Sequence, residues 1–397
     1  MSTPLRIALI EWTQGGHHEL HLKTAAAALA SAGHEVWILY LQPALIRDEI
    51  LATQPELADR LKPHALEPQG RLVQSRDPRL RIAGKWLSVR RALGALDETS
   101  PFDLVFFLFL DEFLAPLIST VWLDSAFRYR WAGIYMQPLY RLQSSKLGRR
   151  REFFRRDHLL RSLRFKGAMV LDEASIPWLK ERFNRPFVAM PEYGDIAEPD
   201  LQAPVVQELL AFANGRPIVG AFGSLSKRKG LMTLLRAVPR VSGIDFVVAI
   251  AGKLETSTFS PEELVEIEMA TSGLGDKCWY RPEPIPTDGA FSGLMSVSSV
   301  CYIAYDDWVF SSGLQSIAAQ FGVPSVAANT GVMAERAESF GTGLTIDPKS
   351  PDAAAASIQR LLTQKLPDDG FAKYNAQHRI EAFRSALCDF VESVGTR

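Results

Sequence analysis

Apolar residues along the chain form short continuous runs, separated by longer segments of helical periodicity. In residues 218–238 an apolar run ends at Gly223, a polar and basic turn follows, and apolar residues then recur at helical spacing. The change from a continuous run to a 3.6-residue period across a glycine-bounded turn predicts a strand, a tight turn and a helix. Repeated units of this kind are typical of parallel sheets covered by helices.

The first half of the chain shows the same alternation. Residues 5–11 and 35–41 read as strands on either side of a glycine turn and an alanine-rich helix over 19–32. Residues 44–100 are polar and helical in pattern. Further strands are expected in the segments DLVFFLFLDEF, WAGIYMQP, AMVLD and PFVAM.

The second half begins after a loop-like segment with prolines at 199 and 204. We therefore expect two doubly wound, Rossmann-like α/β domains that face a cleft, at 1–197 and 198–375. Residues 376–397 are expected to form a last helix that packs back toward the first domain. The expected strands of the second domain are 218–222, 246–251, 278–280, 300–304, 325–328 and 344–346.

Composition narrows the class of protein. The 397 residues suffice for about two or three domains. The formal net charge is −1, so no global field favours nucleic acid. Cys278, Cys301 and Cys388 are widely separated, as expected for reduced thiols in the cytoplasm. The N-terminus does not resemble a signal peptide, and the apolar run 104–110 is too short to cross a membrane.

The turn after residue 222 carries the first candidate chemistry. Glycines at both ends let the backbone approach a ligand closely, and Lys229 adds a positive charge beside the start of the next helix. Free amides at a helix N-terminus also favour an anion. A phosphate-binding turn and a solvated loop are both compatible with this pattern.

Five motifs, in order, resemble those of the retaining glycosyltransferases of family four, which have the two-domain GT-B fold. They are GGHHELHLKTAAAALASAGHEVWIL, FVAMPEYGD, GAFGSLSKRKGLMTLLRAV, VVAIAGKLE and SSGLQSIAAQFGVPSVAANTGVMAERAESFGTGLTIDP. The resemblance implies an acceptor-side domain at 1–197 and a nucleotide-sugar domain at 198–375. Lys229 matches the family lysine that grips the donor diphosphate. Ser224 occupies the position of the partner arginine, and Arg228 is placed to supply that charge.

The family's two glutamates are missing here. Registered on the Gly-Val-Pro turn at 322–324, their positions hold Val309 and Ile317. The segment 311–315 remains as a helix N-terminus for phosphate or sugar oxygens, and Asp306 and Asp307 are nearby candidates for hydroxyl contacts.

The resemblance implies sugar transfer from a nucleotide-sugar, with UDP or GDP expected, to a glycan or lipid-linked acceptor in polysaccharide or glycolipid synthesis. It implies a retaining, hexosyltransferase-type enzyme that needs no cofactor or metal. The expected catalytic residues are Lys229, Arg228, Asp111 and His17. The expected donor-binding residues are Gly15, Gly16, Gly223, Ser224, Lys229, Gly252, Lys253, Arg281, Pro284, Ser311, Ser312, Gly313, Leu314 and Gln315. Rival hypotheses are a catalytically silent scaffold subunit and a nucleotide-sugar epimerase.

Polar residues of the first domain are the acceptor candidates. His18, Tyr135, Gln137 and Glu173 are expected to bind the acceptor, and Asp111 is either a base or a helix cap. Helical spacing places His17 and His21 on one face, as in two-histidine zinc sites, but no third ligand is nearby in sequence.

Residues 141–166 hold 10 Lys or Arg and 2 Asp or Glu. An anionic membrane surface is one candidate partner, which would place the protein on the inner face of the membrane. A solvated helix and a contact with an anionic acceptor are the alternatives. Nucleic acid is not expected, because no aromatic platform accompanies the basic residues.

Overall fold

The computed structural model describes residues 3–15, 17–68, 70–97, 100–114, 118–139, 145–194 and 197–396. The chain divides into two compact units. The N-terminal unit comprises Met1–Pro191 with Glu381–Arg397, and the C-terminal unit comprises Glu192–Ile380. The boundaries expected from the sequence were 197/198 and 375/376.

The N-terminal unit is built on a parallel sheet that has seven strands in the described part of the chain, in the order β3-β2-β1-β4-β5-β6-β7. The strands are β1 Arg6–Ile10, β2 Glu35–Tyr40, β3 Leu61–Ala65, β4 Leu104–Phe107, β5 Trp131–Tyr135, β6 Phe165–Val170 and β7 Phe187–Ala189. The helices of this part are α1 His17–Ser31, α2 Pro43–Thr53, α3 Pro78–Leu96, α4 Thr120–Ala126, α5 Lys146–Arg155 and α6 Ile176–Phe183.

Most of these strands are continuous apolar runs because helices cover both faces of a parallel sheet. The exception is β3, Leu-Lys-Pro-His-Ala, which the helical interpretation of residues 44–100 missed. It is the edge strand of the sheet, where a proline removes no ladder hydrogen bond that the fold requires. One core cluster centres on the buried Trp86, whose ring makes edge contacts with Phe107, Phe127 and Trp131.

The C-terminal unit repeats the plan with a parallel sheet in the order β10-β9-β8-β11-β12-β13, six strands within the described residues. They are β8 Ile218–Phe222, β9 Val247–Ala251, β10 Cys278–Arg281, β11 Val300–Ile303, β12 Ser325–Ala328 and β13 Gly343–Ile346. The helices are α7 Pro204–Ala213, α8 Leu231–Ala237, α9 Pro261–Leu274, α10 Asp288–Ser296, α11 Gly313–Gln320, α12 Gly331–Phe340, α13 Pro351–Thr363 and α14 Asp368–Gln377. All six expected strands are present.

Each sheet runs outward in both directions from its first strand, which is the Rossmann order. The prediction of two doubly wound, Rossmann-like α/β domains is therefore confirmed. The last helix expected over 376–397 corresponds to α15, which spans only Ile380–Gly395, because residues 376 and 377 still belong to α14. The two helices have different partners. The hydroxyl group of Tyr374 in α14 is hydrogen-bonded to that of Ser316 in α11, whereas Phe390 of α15 packs on Phe106 of β4.

Among the described residues, no helix is both long and apolar enough to cross a membrane.

Candidate functional site

The turn after β8 lies at the carboxyl edge of the C-terminal sheet, where the strand order reverses between β8 and β11. Open parallel sheets bind ligands at this position. Gly223 starts the turn with φ +90°, and Gly252, after the neighbouring β9, has φ +136°. A Cβ on Gly252 would overlap the carbonyl group of Gly223, so this approach of two turns requires glycine. The Leu225 amide also donates to the Lys253 carbonyl oxygen at 2.8 Å.

Lys229 closes the turn and points back toward its start. A Cβ on Gly223 would lie 3.5 Å from Lys229 Nζ. The same ammonium lies 5.6 Å from the ring centre of Tyr305, the second residue after β11. Burial, together with the positive charge of Arg228, lowers the pKa of Lys229 to about 8. No described carboxylate forms an ion pair with Lys229, so a bound anion would relieve the cost of burying this charge.

The amides of the turn contribute less than the sequence suggested. Residues 227–229 form a 3-10 helix, in which the Lys229 amide donates to the Ser226 carbonyl oxygen at 2.9 Å and the Gly230 amide donates to that of Lys227 at 3.3 Å. Helix α8 begins only at Leu231. The Lys229 side chain, rather than these two amides, is therefore the group of the turn that is available to an anion.

Arg228 is exposed, and its guanidinium group lies over an aromatic ring. Its guanidinium carbon is 4.1 Å from the ring centre of Trp308. Its main-chain carbonyl oxygen accepts a hydrogen bond of 2.7 Å from the Asp306 amide, which joins the β8 turn to the segment after β11. The carboxylates of Asp306 and Asp307 face Lys349, at 3.3 and 4.0 Å.

The start of α11 lies on the other side of Tyr305. Ser312 is its N-cap residue, and the hydroxyl groups of Ser312 and Tyr305 are 3.2 Å apart. A Cβ on Gly313 would meet no atom within 4 Å, so there is open space at the helix start. Ser311 is buried, and its carbonyl oxygen accepts a hydrogen bond from the Trp308 indole at 3.0 Å. The structure thus brings Lys229 and the α11 terminus to one place.

The positions of the two missing glutamates have become packing positions. Ile317 is buried, and a Cβ on Gly194 would overlap its side chain. The Val309 carbonyl oxygen accepts the Val332 amide at 2.9 Å. Gln315 is buried and donates to a main-chain carbonyl of α12, and its Oε1 has no hydrogen-bond partner. Leu314, which is partly buried, packs against the same core.

Ser224 and Lys253, both expected to bind the donor, extend from adjacent turns toward one carboxylate. The Ser224 hydroxyl donates to Glu255 at 3.3 Å, and Lys253 Nζ lies 3.8 Å from the same carboxylate. Both side chains are exposed. They lie at the edge of the turn but are already partnered.

Arg281 is the last residue of β10, and its carbonyl oxygen accepts the Gly252 amide at 2.9 Å. Its guanidinium group is paired with Glu208 of α7. Pro284 is exposed in the loop that follows. The main chain of this loop is therefore adjacent to the glycine turn, whereas the Arg281 charge is committed elsewhere.

Three residues of this region were not anticipated. Tyr305 is buried between Lys229 and Ser312. Glu192 forms a buried ion pair with Arg336 of α12. Burial raises the pKa of Tyr305, and the charge of Glu192 adds to this effect. The aromatic run after β11 was a usable signal for Tyr305, but nothing local in the sequence links Glu192 to Arg336.

The N-terminal unit has its own polar cluster where its strand order reverses, between β1 and β4. Glu11, directly after β1, is buried. One of its oxygens accepts the amides of Trp12 and Thr13, both at 2.8 Å, and lies 3.2 Å from His18 Nδ1. Burial raises the pKa of Glu11.

Glu112, in the 3-10 helix Leu110–Phe113 after β4, completes this cluster. It accepts the Thr13 hydroxyl and pairs with Lys85 at 2.9 Å. One ligand atom each of Glu11, His18 and Glu112 lies within 4.8 Å of the others. Glu112 is thus distant in sequence from the helix that carries His18, whereas Glu11 precedes that helix closely.

The structure describes only some of the glycines and histidines near the start of α1. Gly15 has φ +84°, and its amide donates to Glu19 at 3.3 Å. Gly16 and the side chain of His17 lie outside the described residues. His18 stacks on Phe109 with ring centres 3.9 Å apart, and His21 packs against the edge of the same ring.

The Asp111 carboxylate has a structural role, because it is hydrogen-bonded to two main-chain amides and an arginine. Its carboxylate accepts the Met136 amide at 2.8 Å, the Gln137 amide at 3.0 Å and the Arg156 guanidinium at 2.9 Å. The two amide bonds hold the segment after β5 in place and Arg156 pairs with the carboxylate, so Asp111 is poorly placed to act as a base. Gln137 follows β5 and is partly exposed.

The expectation that Tyr135 contacts the acceptor is wrong. Its ring is fully buried and its hydroxyl donates to Asp157. Burial raises the pKa of Tyr135 well above its usual value. Glu173 starts a 3-10 helix after β6 and is partly exposed, so an acceptor contact stays a prediction for this residue.

The basic segment 141–166 is described from residue 145 onward, without the side chains of 146 and 152–155. Helix α5 and the loop after it expose Leu147 and Leu163, at 78% and 72%. Arg156 is not part of this surface, because it turns inward to Asp111.

Residues 216–364, which lie within the C-terminal unit, match the family model described as glycosyl transferases group 1. Solved structures match nearly the whole chain. A glycosyltransferase from Rickettsia africae is 12% identical with a TM-score of 0.67, and 98% of each chain is covered. The chain has the GT-B glycosyltransferase fold. The two-domain GT-B fold that the five motifs imply is thereby confirmed.

Two further GT-B structures extend the comparison. Sucrose-phosphate synthase from Thermosynechococcus elongatus is 18% identical with a TM-score of 0.66 and covers 98% of both chains. HepE from Anabaena, crystallised in complex with UDP and glucose, is 15% identical with a TM-score of 0.66 and covers 98% of this chain and 100% of its own. No curated protein sequence matches this GT-B chain.

Proposed function

We propose that the protein transfers a hexosyl group from a nucleoside-diphosphate sugar to a hydroxyl group of a glycan or lipid-linked acceptor, with retention of anomeric configuration. The observation that carries this proposal is Lys229, a partly buried ammonium without a described carboxylate partner, at the point where the strand order reverses. Negative charge develops on the diphosphate as the glycosidic bond breaks. A preorganised cation in a site of low dielectric stabilises that charge.

The donor is assigned to the C-terminal unit. Lys229 contacts the diphosphate, Arg228 lies beside it on Trp308, and the Ser312 and Gly313 amides face the open space at the α11 terminus. With valine and isoleucine at the two glutamate positions, donor-sugar contacts fall to Ser312 and these amides. The complex of HepE with UDP and glucose supports UDP as the nucleotide.

The acceptor is assigned to the N-terminal unit. His18, Gln137 and Glu173 are the residues proposed to contact it, and Asp111 holds the Gln137 segment in place. The exposed Leu147 and the surrounding arginines support a lipid-linked acceptor, used at the cytoplasmic face of an anionic membrane in polysaccharide or glycolipid synthesis.

A nucleotide screen tests the donor assignment. UDP, GDP, ADP and UDP-glucose are each added to the full chain while the melting temperature is recorded. A ligand that binds only the folded chain raises this temperature. UDP and UDP-glucose are expected to stabilise the wild type and to have little effect on Lys229→Ala. If no nucleoside diphosphate stabilises the wild type, the proposal fails.

A binding subunit without catalysis is the second candidate function. It is favoured by the burial of Ile317 in the core, because that position cannot supply a carboxylate to a donor sugar. UDP release from UDP-glucose separates the two functions. A catalyst releases UDP faster when a glycan or lipid-linked acceptor is added, whereas a binding subunit retains the intact donor.

A further inference from the structure

Glu11, His18 and Glu112 form a polar cluster after strands β1 and β4, and nothing in the Rossmann-like fold itself requires these three side chains to meet. It combines two carboxylates and an imidazole at the reversal point of the N-terminal sheet. Glu11 is brought there by β1, Glu112 by the 3-10 helix after β4, and His18 by the first turn of α1. Three separate elements therefore deliver metal-ligating side chains to one point.

The polar atoms of Glu11 are unequally satisfied. One oxygen receives two main-chain amides and the His18 ring nitrogen, whereas Oε2 is buried and has no hydrogen-bond partner. A buried carboxylate oxygen without a partner is costly, and buried charges are usually paired or coordinate metals. This atom is an observation independent of the clustering itself, and it points to an occupant with positive character.

The spacing suits a small divalent ion. Zinc binds nitrogen and oxygen ligands at about 2.0–2.2 Å in tetrahedral geometry, which separates neighbouring ligand atoms by roughly 3.3–3.6 Å. Glu11 Oε1 lies 3.2 Å from His18 Nδ1, and one ligand atom each of Glu11, His18 and Glu112 lies within 4.8 Å of the others. Modest side-chain adjustment therefore brings the set around one ion.

The surroundings resemble the outer shell of a metal site. Amides of Trp12 and Thr13 orient Glu11, while the Thr13 hydroxyl and Lys85 orient Glu112. Outer-shell partners of this kind fix metal-ligating carboxylates. Lys85 offsets one of the two negative charges, and each Glu112 oxygen keeps a second lone pair for a metal.

We propose that Glu11, His18 and Glu112 form a site for a divalent transition metal, with zinc as the best fit. Three protein ligands leave a fourth tetrahedral position for water or a ligand oxygen. The site belongs to the N-terminal unit, whereas the donor residues around Lys229 belong to the C-terminal unit. It is independent of the proposed donor site, whereas it shares His18 with the proposed acceptor site.

The test is equilibrium dialysis of the untagged full chain, stripped with a chelator, against zinc alone. Wild type is expected to bind one zinc ion per chain. Glu11→Gln and His18→Ala are each expected to weaken that binding by about tenfold or more, in line with the loss of a ligand. His21→Ala, on the same helix, is the matched control and should bind zinc as the wild type does. Circular dichroism checks that each variant is folded.

Absence of stoichiometric zinc binding by the wild type would overturn the assignment. Equal binding by wild type, Glu11→Gln and His18→Ala would also overturn it, because the ion would then lie elsewhere. If Glu11→Gln does not fold, the comparison of His18→Ala with His21→Ala decides the matter alone. None of these measurements uses a nucleotide or a sugar, so failure of the metal site leaves the donor proposal untouched.

Discussion

The Lys229 ammonium lies 5.6 Å from the ring centre of Tyr305, whose hydroxyl group is 3.2 Å from that of Ser312. One buried tyrosine thus links the cation of the β8 turn to the N-terminus of α11. Its ring keeps water from one side of Lys229, and desolvation is the main cause of the lowered pKa of that lysine. The same desolvation strengthens any contact between the ammonium and a bound diphosphate.

Replacement of Lys229 by alanine should remove charge stabilisation of the leaving group. We expect kcat/KM with the true donor to fall by about 10²- to 10³-fold, the effect of losing one preorganised group at a developing negative charge. Steady-state UDP release measures it. Lys373→Ala removes an exposed lysine paired with Asp369 on α14 and should leave kcat/KM unchanged. Full activity of Lys229→Ala would show that the diphosphate binds elsewhere.

UDP affinity should depend on the protonation of Lys229. The free protein holds this proton with a pKa of about 8. UDP needs the charged form, so its Kd should rise about tenfold per pH unit above pH 8, until the pKa of the complex is reached. Calorimetric titrations between pH 7 and 9.5 measure this slope. In Lys229→Ala the slope should disappear, and an unchanged slope there would assign the proton to another group.

The lowered pKa of Lys229 makes the stability of the free protein rise with pH, whereas it makes the affinity for UDP fall. Between pH 8 and the ordinary lysine pKa of 10.5, the unfolded chain holds this proton and the folded chain does not. The contribution of Lys229 to the free energy of unfolding therefore increases as pH rises through this window. Comparison of wild type with Lys229→Met by urea unfolding isolates the contribution. It should be unfavourable below pH 8 and should fade above it.

The close approach of the turns after β8 and β9 predicts that a side chain at Gly252 would destabilise the fold. A Cβ there would overlap the Gly223 carbonyl at a φ of +136°, whereas Gly243 has φ +73° with nothing within 4 Å. Gly243→Ala should cost about 1–2 kcal/mol of unfolding free energy from backbone strain alone. Gly252→Ala should cost at least ~1 kcal/mol more from the clash. Urea unfolding of the two variants compares them, and equal losses would contradict the close contact between the turns.

The buried pair of Glu192 and Arg336 should be sensitive to loss of one partner. Their side chains are 12% and 4% exposed. Arg336→Met leaves a buried carboxylate without its cation and should cost about 3–5 kcal/mol of unfolding free energy. The double variant Glu192→Leu/Arg336→Met removes both charges and should recover much of that loss. A double variant less stable than Arg336→Met would show that the pair is not the source of the effect.

Local sequence was sufficient for most of the fold because each βα unit has its own periodicity and its own glycine turn. Local sequence was insufficient where the position of a segment in the fold determines its secondary structure. The edge position of β3 tolerates Pro63, a residue type that is disfavoured inside a sheet. The last helix is interrupted at His378, whose ring is buried and whose pKa falls to about 3 through that burial.

The residues of the candidate site also fall into those that local sequence predicted and those that it did not. Lys229 was predictable because its turn, its charge and the following helix are contiguous. The contact of Tyr305 with Lys229, the pairing of Glu192 with Arg336, and the meeting of Glu11 with Glu112 all join segments about 75 to 145 residues apart. No local pattern specifies such pairs, since they depend on which strand ends become neighbours in the sheet.

The basic segment predicts binding to anionic membranes. Leu147 is exposed beside Arg149, Arg150 and Arg151 of α5. Each basic residue near an anionic surface contributes roughly 1 kcal/mol, so the triple charge reversal Arg149→Glu/Arg150→Glu/Arg151→Glu should weaken binding to phosphatidylserine-containing vesicles at least tenfold. Vesicle sedimentation measures the bound fraction.

Vesicles of phosphatidylcholine alone control for lipid charge, and Lys365→Glu/Lys373→Glu in the C-terminal unit is a control charge reversal at exposed lysines outside α5. Wild-type binding should also weaken as salt is raised, because screening acts on exposed charges. Equal binding to anionic and neutral vesicles would leave α5 as a solvated helix. In that case a direct contact of the arginines with an anionic acceptor becomes the alternative, and the lipid-linked part of the proposed function would lose its support.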